Sequence, residues 1–174
     1  GRWSEAQIRE EHAFGAALAE AEIPAVCPLV VDGRTLHRFE GFFFSVCPRR
    51  GGRSPELDDF EVLEWIGRFL ARIHAVGASR PFVERPALDL ATFGTASHAW
   101  LLAHDRVPLD VQADWDKACR EALQLVAASP LGQVGRPGGI AQLRLHGDCH
   151  PGNILWTPTD RPGGGPHFVD LDDA

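Results

Sequence analysis

The sequence predicts an α+β fold in two unequal parts, and three observations lead there. The chain has 174 residues, of which 44% are hydrophobic and 24% charged, the composition of a foldable domain of ordinary size. Strand-like and helix-like runs are segregated along it, as a helix, then strands, then helices, then a hairpin. That order suits an α+β fold rather than an alternating parallel sheet. A polar, glycine-rich stretch, Cys47-Pro48-Arg49-Arg50-Gly51-Gly52-Arg53, stands where the pattern changes, so the parts are expected at residues 1–48 and 49–174.

The first helix is announced by Ser4 and Gln7 in capping-box spacing, with Trp3 and Ile8 at the staple positions around them. Glu11, Phe14 and Leu18 then recur at i, i+3 and i+7, which puts a carboxylate on the apolar face, and Pro24 stops the helix. Two strand-like runs follow, Val26 to Val31 and Arg38 to Val46, joined through a turn at Asp32-Gly33. Within them Gly41-Phe42-Phe43-Phe44-Ser45-Val46 is the most apolar stretch of the chain and reads as a buried strand.

Past the connector, Ser54-Pro55 supplies a cap followed by proline at the first helical position. Leu63, Ile66, Leu70 and Ile73 mark a core stripe that ends near Gly77. A short helix is expected over Ala96 to His104. A longer one is expected from Val111 to Ala128, with Trp115, Cys119, Ala122 and Val126 on one face. Trp65, Trp100 and Trp115 read as core. Extended pieces close the chain at Leu143 to Leu145, Ile154 to Trp156 and Pro166 to Leu171, the last two joined by the turn-forming run Thr157 to Gly165.

Bulk properties exclude several functions. Seventeen basic against 24 acidic residues give a net charge of −7, which argues against nucleic acid or anionic membrane as a partner of the whole surface. No apolar run approaches the roughly 18 residues that span a bilayer. Cys27, Cys47, Cys119 and Cys149 are widely spaced with no Cys-x-x-Cys pair, so neither a zinc ribbon nor a disulfide scaffold is expected, and a reducing cytoplasm is the default; the chain is expected to be a monomer. Arg49, Arg50 and Arg53 read as a solvated connector. One compositional oddity stands out: among the basic residues only Lys117 is a lysine.

The chemistry is concentrated in His146-Gly147-Asp148-Cys149-His150-Pro151-Gly152-Asn153 and in Phe168-Val169-Asp170-Leu171-Asp172-Asp173. Asn153 stands at the start of one predicted strand and Asp170 at the end of the next, and an antiparallel return puts such positions beside each other. Two hard oxygen donors with room for water suit Mg²⁺ held mainly by a nucleotide's phosphates. Asp148 is left to meet a substrate hydroxyl. The competing drawing takes His146, Asp148, His150 and Asp170 as the transition-metal site of a hydrolase. Gly147, Pro151 and Gly152 argue against the regular strand it needs, and His150 is expected to brace the loop instead. Asp172 and Asp173 either assist the metal or form an acidic turn. Cys149 reads as a small packed side chain beside Asp148.

An Asp with Asn five residues later, then a metal-binding Asp after a hairpin, is the catalytic set of kinases. Gly147 replaces the Arg of His-Arg-Asp, and Leu171-Asp172 replaces the Phe-Gly that follows the metal Asp. With those departures, Leu145-His146-Gly147-Asp148-Cys149-His150-Pro151-Gly152-Asn153-Ile154-Leu155-Trp156 and Phe168-Val169-Asp170-Leu171-Asp172-Asp173-Ala174 resemble the aminoglycoside phosphotransferase and choline kinase branch of the protein-kinase-like fold. Within that branch they closely resemble bacterial stress-response serine/threonine kinases. Arg2-Trp3-Ser4, Gln7-Ile8, Glu10-Glu11-His12-Ala13-Phe14 and Glu22-Ile23-Pro24 resemble the same group. The resemblance spans nearly the whole chain and is weakest between Arg80 and Ile140.

The resemblance implies an incomplete bilobal fold. Residues 1–48 would be the C-terminal part of the small nucleotide-binding lobe and hinge, and residues 49–174 the N-terminal part of the catalytic lobe. ATP is implied as cosubstrate with Mg²⁺. Asp148 would be the catalytic base, with Asn153 and Asp170 binding the metal. Glu11 would pair with the lysine that grips the α- and β-phosphates, Glu10 on the flank of the same face being the alternative. Val46 and Cys47, in the last strand and hinge, would hold adenine. The acceptor would be a protein serine or threonine, or in the rival class an aminoglycoside, choline or homoserine-type alcohol. Every visible catalytic residue is present, which disfavours a non-catalytic pseudokinase. The Gly-rich loop and the lysine of such kinases precede the first helix, whereas Lys117 lies far downstream, so the sequence reads as a piece truncated at both ends.

A phosphoryl-transfer site is built of positioned charges, and without the loop and lysine most of its nucleotide grip is missing. The 174-residue chain by itself is therefore expected to fall far short of the usual kinase turnover of about 1–100 per second, a result that transfer of radiolabelled phosphate from ATP measures directly.

Overall fold

The computed structural model describes residues 2–134 and 139–171. They contain α1 (Glu5–Glu20), β1 (His37–Phe39), β2 (Phe42–Phe44), α2 (Phe60–Gly77), α3 (Ser97–Ala103), α4 (Gln112–Ala128), β3 (Ile154–Thr157) and β4 (Gly165–Phe168). By contact the chain groups into two compact units, residues 1–85 with 143–174, and residues 86–142.

In the first unit α1 starts at the predicted capping box. The Ser4 hydroxyl accepts the Gln7 N–H at 3.3 Å, and the Gln7 side chain accepts the Ser4 N–H at 2.9 Å. Two of the four otherwise orphaned donors of the helix start are thereby satisfied. Phe14 and Leu18 are fully buried, and they join Ile66 and Ile73 of α2 with Ile154, Trp156 and Phe168 of the second hairpin in one core.

That second hairpin is antiparallel as expected, with Ile154 opposite Phe168 through Thr157 opposite Gly165. Both of its edges are covered. Arg53 exchanges two backbone hydrogen bonds with Trp156, at 3.0 and 2.7 Å. On the other side Phe168 donates to the Pro24 carbonyl and accepts from Val26, both at 2.8 Å. The segment after α1 and the predicted connector therefore become edge pieces of one small sheet. Gly52 permits the approach, because a Cβ there would lie 2.8 Å from the Leu155 Cβ.

Several expectations are corrected. The run Arg38 to Val46 is not one buried strand: it folds on itself as β1 and β2 through a turn in which Glu40 (φ 47°) and Gly41 (φ 88°) are both left-handed, the geometry of a tight two-residue hairpin. The two strands have three residues each and stay largely exposed, Phe39 at 67% and Phe42 at 77%. The Asp32-Gly33 turn does form, closed by a mutual Val31–Arg34 bridge.

Helix α2 begins at Phe60 and not at Ser54-Pro55. Pairing of Arg53 with Trp156 keeps the chain extended there, and the Asp59 carboxylate caps by accepting the Glu61 N–H at 2.9 Å. Val62, not Leu63, is the buried member of its stripe. Leu143 to Leu145 makes no strand pairing; the Arg144 N–H instead reaches the Gly77 carbonyl at 3.3 Å.

In the second unit a π-helical turn, Leu90–Ala96, leads into α3, and the Asp89 side chain caps that turn by accepting the Thr92 N–H at 2.7 Å. Trp115, Cys119 and Val126 of α4 are half-buried as expected. Leu123 takes the place predicted for Ala122, packing where Gly94 leaves no room for a Cβ. His98 stacks on Trp115 and bonds Asp116 at 2.8 Å. No residue of α3 or α4 is fully buried, so neither Trp100 nor Trp115 is core, and Trp100 is half exposed.

Gly77 ends α2 against the segment that enters the site, and a Cβ there would collide with the Arg144 carbonyl. Gly77→Ala is expected to destabilise the first unit by about 1–3 kcal/mol, the usual cost of overpacking. A lowered urea midpoint at unchanged slope would be the readout.

Candidate active site

The site is built on the open end of the β3–β4 hairpin. One residue beyond the Ile154–Phe168 pair, the Val169 N–H donates to the Asn153 carbonyl at 3.0 Å. Pairing thus brings the two halves of the motif together, and Asp170 follows at once. Its φ of 64° is left-handed, a conformation that non-glycine residues other than Asn and Asp rarely adopt. Asp170 is solvent-exposed.

The loop between His146 and Asn153 is tied to itself. Gly147 turns it at φ 85°. The His150 N–H donates to the Asp148 carbonyl at 3.0 Å, and the Asn153 N–H donates to the His150 carbonyl at 2.9 Å. Asn153 is buried, and its side-chain amide donates to the Asp148 carbonyl at 3.0 Å and to the Asp148 carboxylate at 3.3 Å. His150 folds back over the turn and accepts the Gly152 N–H on Nδ1 at 3.0 Å. The ring proton therefore sits on Nε2, which faces the Asp148 carboxylate at 3.6 Å. A Cβ on Gly152 would lie 2.6 Å from the imidazole Cε1, so glycine is required for this brace. The expectation that His150 stiffens the loop describes what the ring does.

His146 is buried with its edge toward the Phe168 ring, centroids 6.2 Å apart. Burial holds its pKa below the usual value, with the Val169 backbone and the Asp148 charge pulling the other way. Cys149 is exposed on the loop and not packed as expected; partial desolvation and then the Asp148 carboxylate push its thiol up, which makes it a poor nucleophile.

The donor set can be tested against a divalent cation. The Asn153 amide nitrogen is engaged with Asp148, which leaves the carbonyl oxygen as its ligating atom, and the exposed Asp170 carboxylate lies next along the paired strand. One neutral and one anionic hard oxygen fit Mg²⁺ better than a soft metal. Among the described residues no three His, Cys, Asp or Glu side chains converge on one point. His146 is buried while Asp148, His150 and Asp170 are exposed, so the hydrolase drawing is not assembled. Asp172 and Asp173 lie outside the described residues.

Helix α1 separates its two candidate glutamates. The Glu10 carboxylate accepts the backbone N–H groups of Val83, Glu84 and Arg85. Glu11 lies near Cys27 and Cys47, and its charge helps to raise the thiol pKa of both. Cys27 is pushed up to about 11, chiefly by burial, then by Cys47 and Glu11. One turn after Glu11, Gly15 lets α1 lie close to Cys27 and Leu171; an added Cβ would stand 3.1 Å from the Cys27 sulfur and 3.8 Å from Leu171. Cys27 and Leu171, the residue after Asp170, thus border the same stretch of helix as Glu11. The Val46 carbonyl accepts the Leu29 N–H at 2.7 Å.

Sequence reasoning missed Arg144. It is buried, with its guanidinium over the Phe14 ring at 4.5 Å and the Phe82 ring at 5.7 Å, and it donates to the Val76 carbonyl and the Ser79 hydroxyl. The signal was the alternation Arg144, His146, in which the polar residues point inward and Leu145 outward.

The whole chain, residues 1–174, matches the family model of the phosphotransferase enzyme family. The chain belongs to this family. It is 40% identical over 99% of its length to stress response kinase A of Salmonella choleraesuis (strain SC-B67), of which it covers 49%. It is likewise 40% identical over 99% of its length to serine/threonine protein kinase RdoA of Salmonella typhimurium (strain LT2), again covering 49%. The chain thus spans about half the length of the curated relatives it matches. Among solved structures, amicoumacin kinase hAmiN in complex with AMP-PNP, Ca²⁺ and Ami superposes with a TM-score of 0.68 at 17% identity, over 99% of this chain and 49% of that one. The α+β, kinase-like fold expected of this phosphotransferase family is therefore the fold of this chain. No helix among the described residues is long and apolar enough to cross a membrane.

The depressed pKa of His146 has a sign. The unfolded imidazole protonates near 6.5 while the folded one resists, so its contribution to stability is complete above about pH 6.5 and is lost as pH falls toward the folded value. Urea midpoints measured from about pH 7.5 down to 5 should fall for the native chain, and more shallowly for His146→Asn.

Proposed function

We propose that this sequence carries part of an ATP- and Mg²⁺-dependent phosphotransferase that moves the γ-phosphoryl group to a serine or threonine of a protein, as a monomer in the cytoplasm during a stress response. The observation that carries the reading is the Asn153 amide bound to both the backbone carbonyl and the carboxylate of Asp148. It fixes the carboxylate that receives a proton and, by the same bond, orients the oxygen available to a cation.

The roles follow from position. Asp148 orients the acceptor hydroxyl and takes its proton as the hydroxyl oxygen bonds to the γ-phosphorus and the bond to the bridging oxygen of ADP breaks. Asn153 and Asp170 would hold Mg²⁺, which supplies charge neutralisation at the phosphate oxygens when bound. Glu11, not Glu10, would orient a phosphate-gripping lysine. Adenine would lie against Val46 and Cys47, using the backbone of Cys47 because the Val46 carbonyl is engaged with Leu29. Residues 1–48 would then belong to the small lobe and hinge, and residues 49–174 to the catalytic lobe, a functional division distinct from grouping by contact.

The protein acceptor is supported by relatives named as stress response and serine/threonine protein kinases at 40% identity. A small-molecule alcohol is the second reading, supported by the fold's likeness to an amicoumacin kinase.

The test is made on the family-length protein that contains this sequence, with protein and aminoalcohol acceptors side by side. Asp148→Asn is expected to lower transfer by about 10²–10⁴-fold, the usual worth of a positioned base, while binding of an ATP analogue is kept. Full transfer by that variant would refute the assigned role.

A further inference from the structure

Helix α1 is fastened by a set of contacts that phosphoryl transfer does not itself require. The Glu10 carboxylate accepts three successive backbone N–H groups, Val83 at 2.6 Å, Glu84 at 2.8 Å and Arg85 at 2.9 Å. Successive peptide N–H groups converging on one anion form a nest, here occupied by the chain's own carboxylate. One turn before, the Gln7 side chain donates to the Glu84 carbonyl at 3.0 Å. One turn after, Phe14 meets the edge of Phe82, centroids 5.6 Å apart. Gln7, Glu10 and Phe14 share one face of the helix, at i, i+3 and i+7, so the whole face is docked on residues 82–85.

The docking continues to the catalytic loop. Arg144 lies across both Phe14 and Phe82, and donates to the Val76 carbonyl at 3.0 Å and the Ser79 hydroxyl at 3.3 Å. Its own N–H reaches Gly77. Arg144 stands just before buried His146, and Asp148 follows. From Glu10 to Asp148 the connection therefore runs through packed or hydrogen-bonded groups in one compact unit.

We propose that Glu10 is a positioning residue, whose carboxylate latches α1 to the backbone of residues 83–85 and so fixes the direction in which neighbouring Glu11 is presented to the nucleotide. This rests on the kinase reading given above. Adjacent helix residues project about 100° apart, so a rotation or one-turn slide that moved Glu11 would break all three Glu10 bonds together. Bonds of peptide N–H to a carboxylate are among the strong ones, and their acceptor is charged at neutral pH: burial raises the Glu10 pKa, but the three backbone bonds and the Arg85 charge outweigh it and the net shift is downward. The latch partner is chiefly backbone, with the Arg85 charge adding to it.

The test uses the family-length protein, with hydrogen exchange of the α1 and 83–85 amides measured beside steady-state kinetics. Glu10→Gln keeps size and loses charge. It is expected to speed exchange in both segments and to raise KM for ATP about tenfold, with kcat changed less. Glu10→Asp, which keeps charge on a shorter arm, should fall between, and it serves if the Gln variant does not fold. Faster exchange with an unchanged KM would overturn the positioning role, and unchanged exchange would overturn the latch. Wild-type protein that transfers no phosphate would count against the kinase reading, a result seen before any variant is compared.

Discussion

The antiparallel register of β3 against β4 governs the rest of this structure. It sets Ile154 opposite Phe168, and one residue farther it joins Asn153 to Val169. A slip by one residue would turn every side chain of the hairpin to the other face. Ile154, Trp156 and Phe168 would leave the core, and Asn153 would no longer adjoin the strand that leads to Asp170. The same apolar side chains that stabilise the unit thereby specify the site. Because Arg53 and residues 24–26 pair with the hairpin's two edges, the register also fixes where the connector and the end of α1 lie.

What was legible in the sequence depended on the range of the interaction. The α1 start was written locally in Ser4 and Gln7, and the β3–β4 hairpin in two apolar runs around a turn of Gly, Pro and Asp. Asp148, Asn153 and Asp170 were found because their spacing alone carries the pattern. The Glu10 bonds to Val83, Glu84 and Arg85 join residues more than seventy positions apart, and no local pattern announces them. For the same reason the spacing to Leu18 pointed to Glu11 before Glu10 on this helix, but carried no sign of what Glu10 itself binds. The displaced start of α2 has a similar origin: Ser54-Pro55 is a sound local cap, but the pairing of Arg53 with Trp156 keeps the chain extended past it.

Arg144 illustrates how the unit tolerates a buried charge. Burial lowers its pKa, the Arg80 charge adds to that, and Glu10 opposes it. Two aromatic faces, a carbonyl and a hydroxyl replace the lost water. Desolvated guanidinium groups gain most from such faces, where the attraction reaches about 2 kcal/mol. A lysine has no planar group to stack between two rings, so the position is not interchangeable between the two cations.

Asp170 stands under two independent filters. Its left-handed backbone, φ 64°, is readily entered only by glycine, asparagine and aspartate. The anionic oxygen proposed for it admits only aspartate and glutamate. The two lists share a single member. A saturation library at this codon should thus collapse to one residue where neighbouring Val169 tolerates several, and that narrowness would arise from geometry as much as from chemistry.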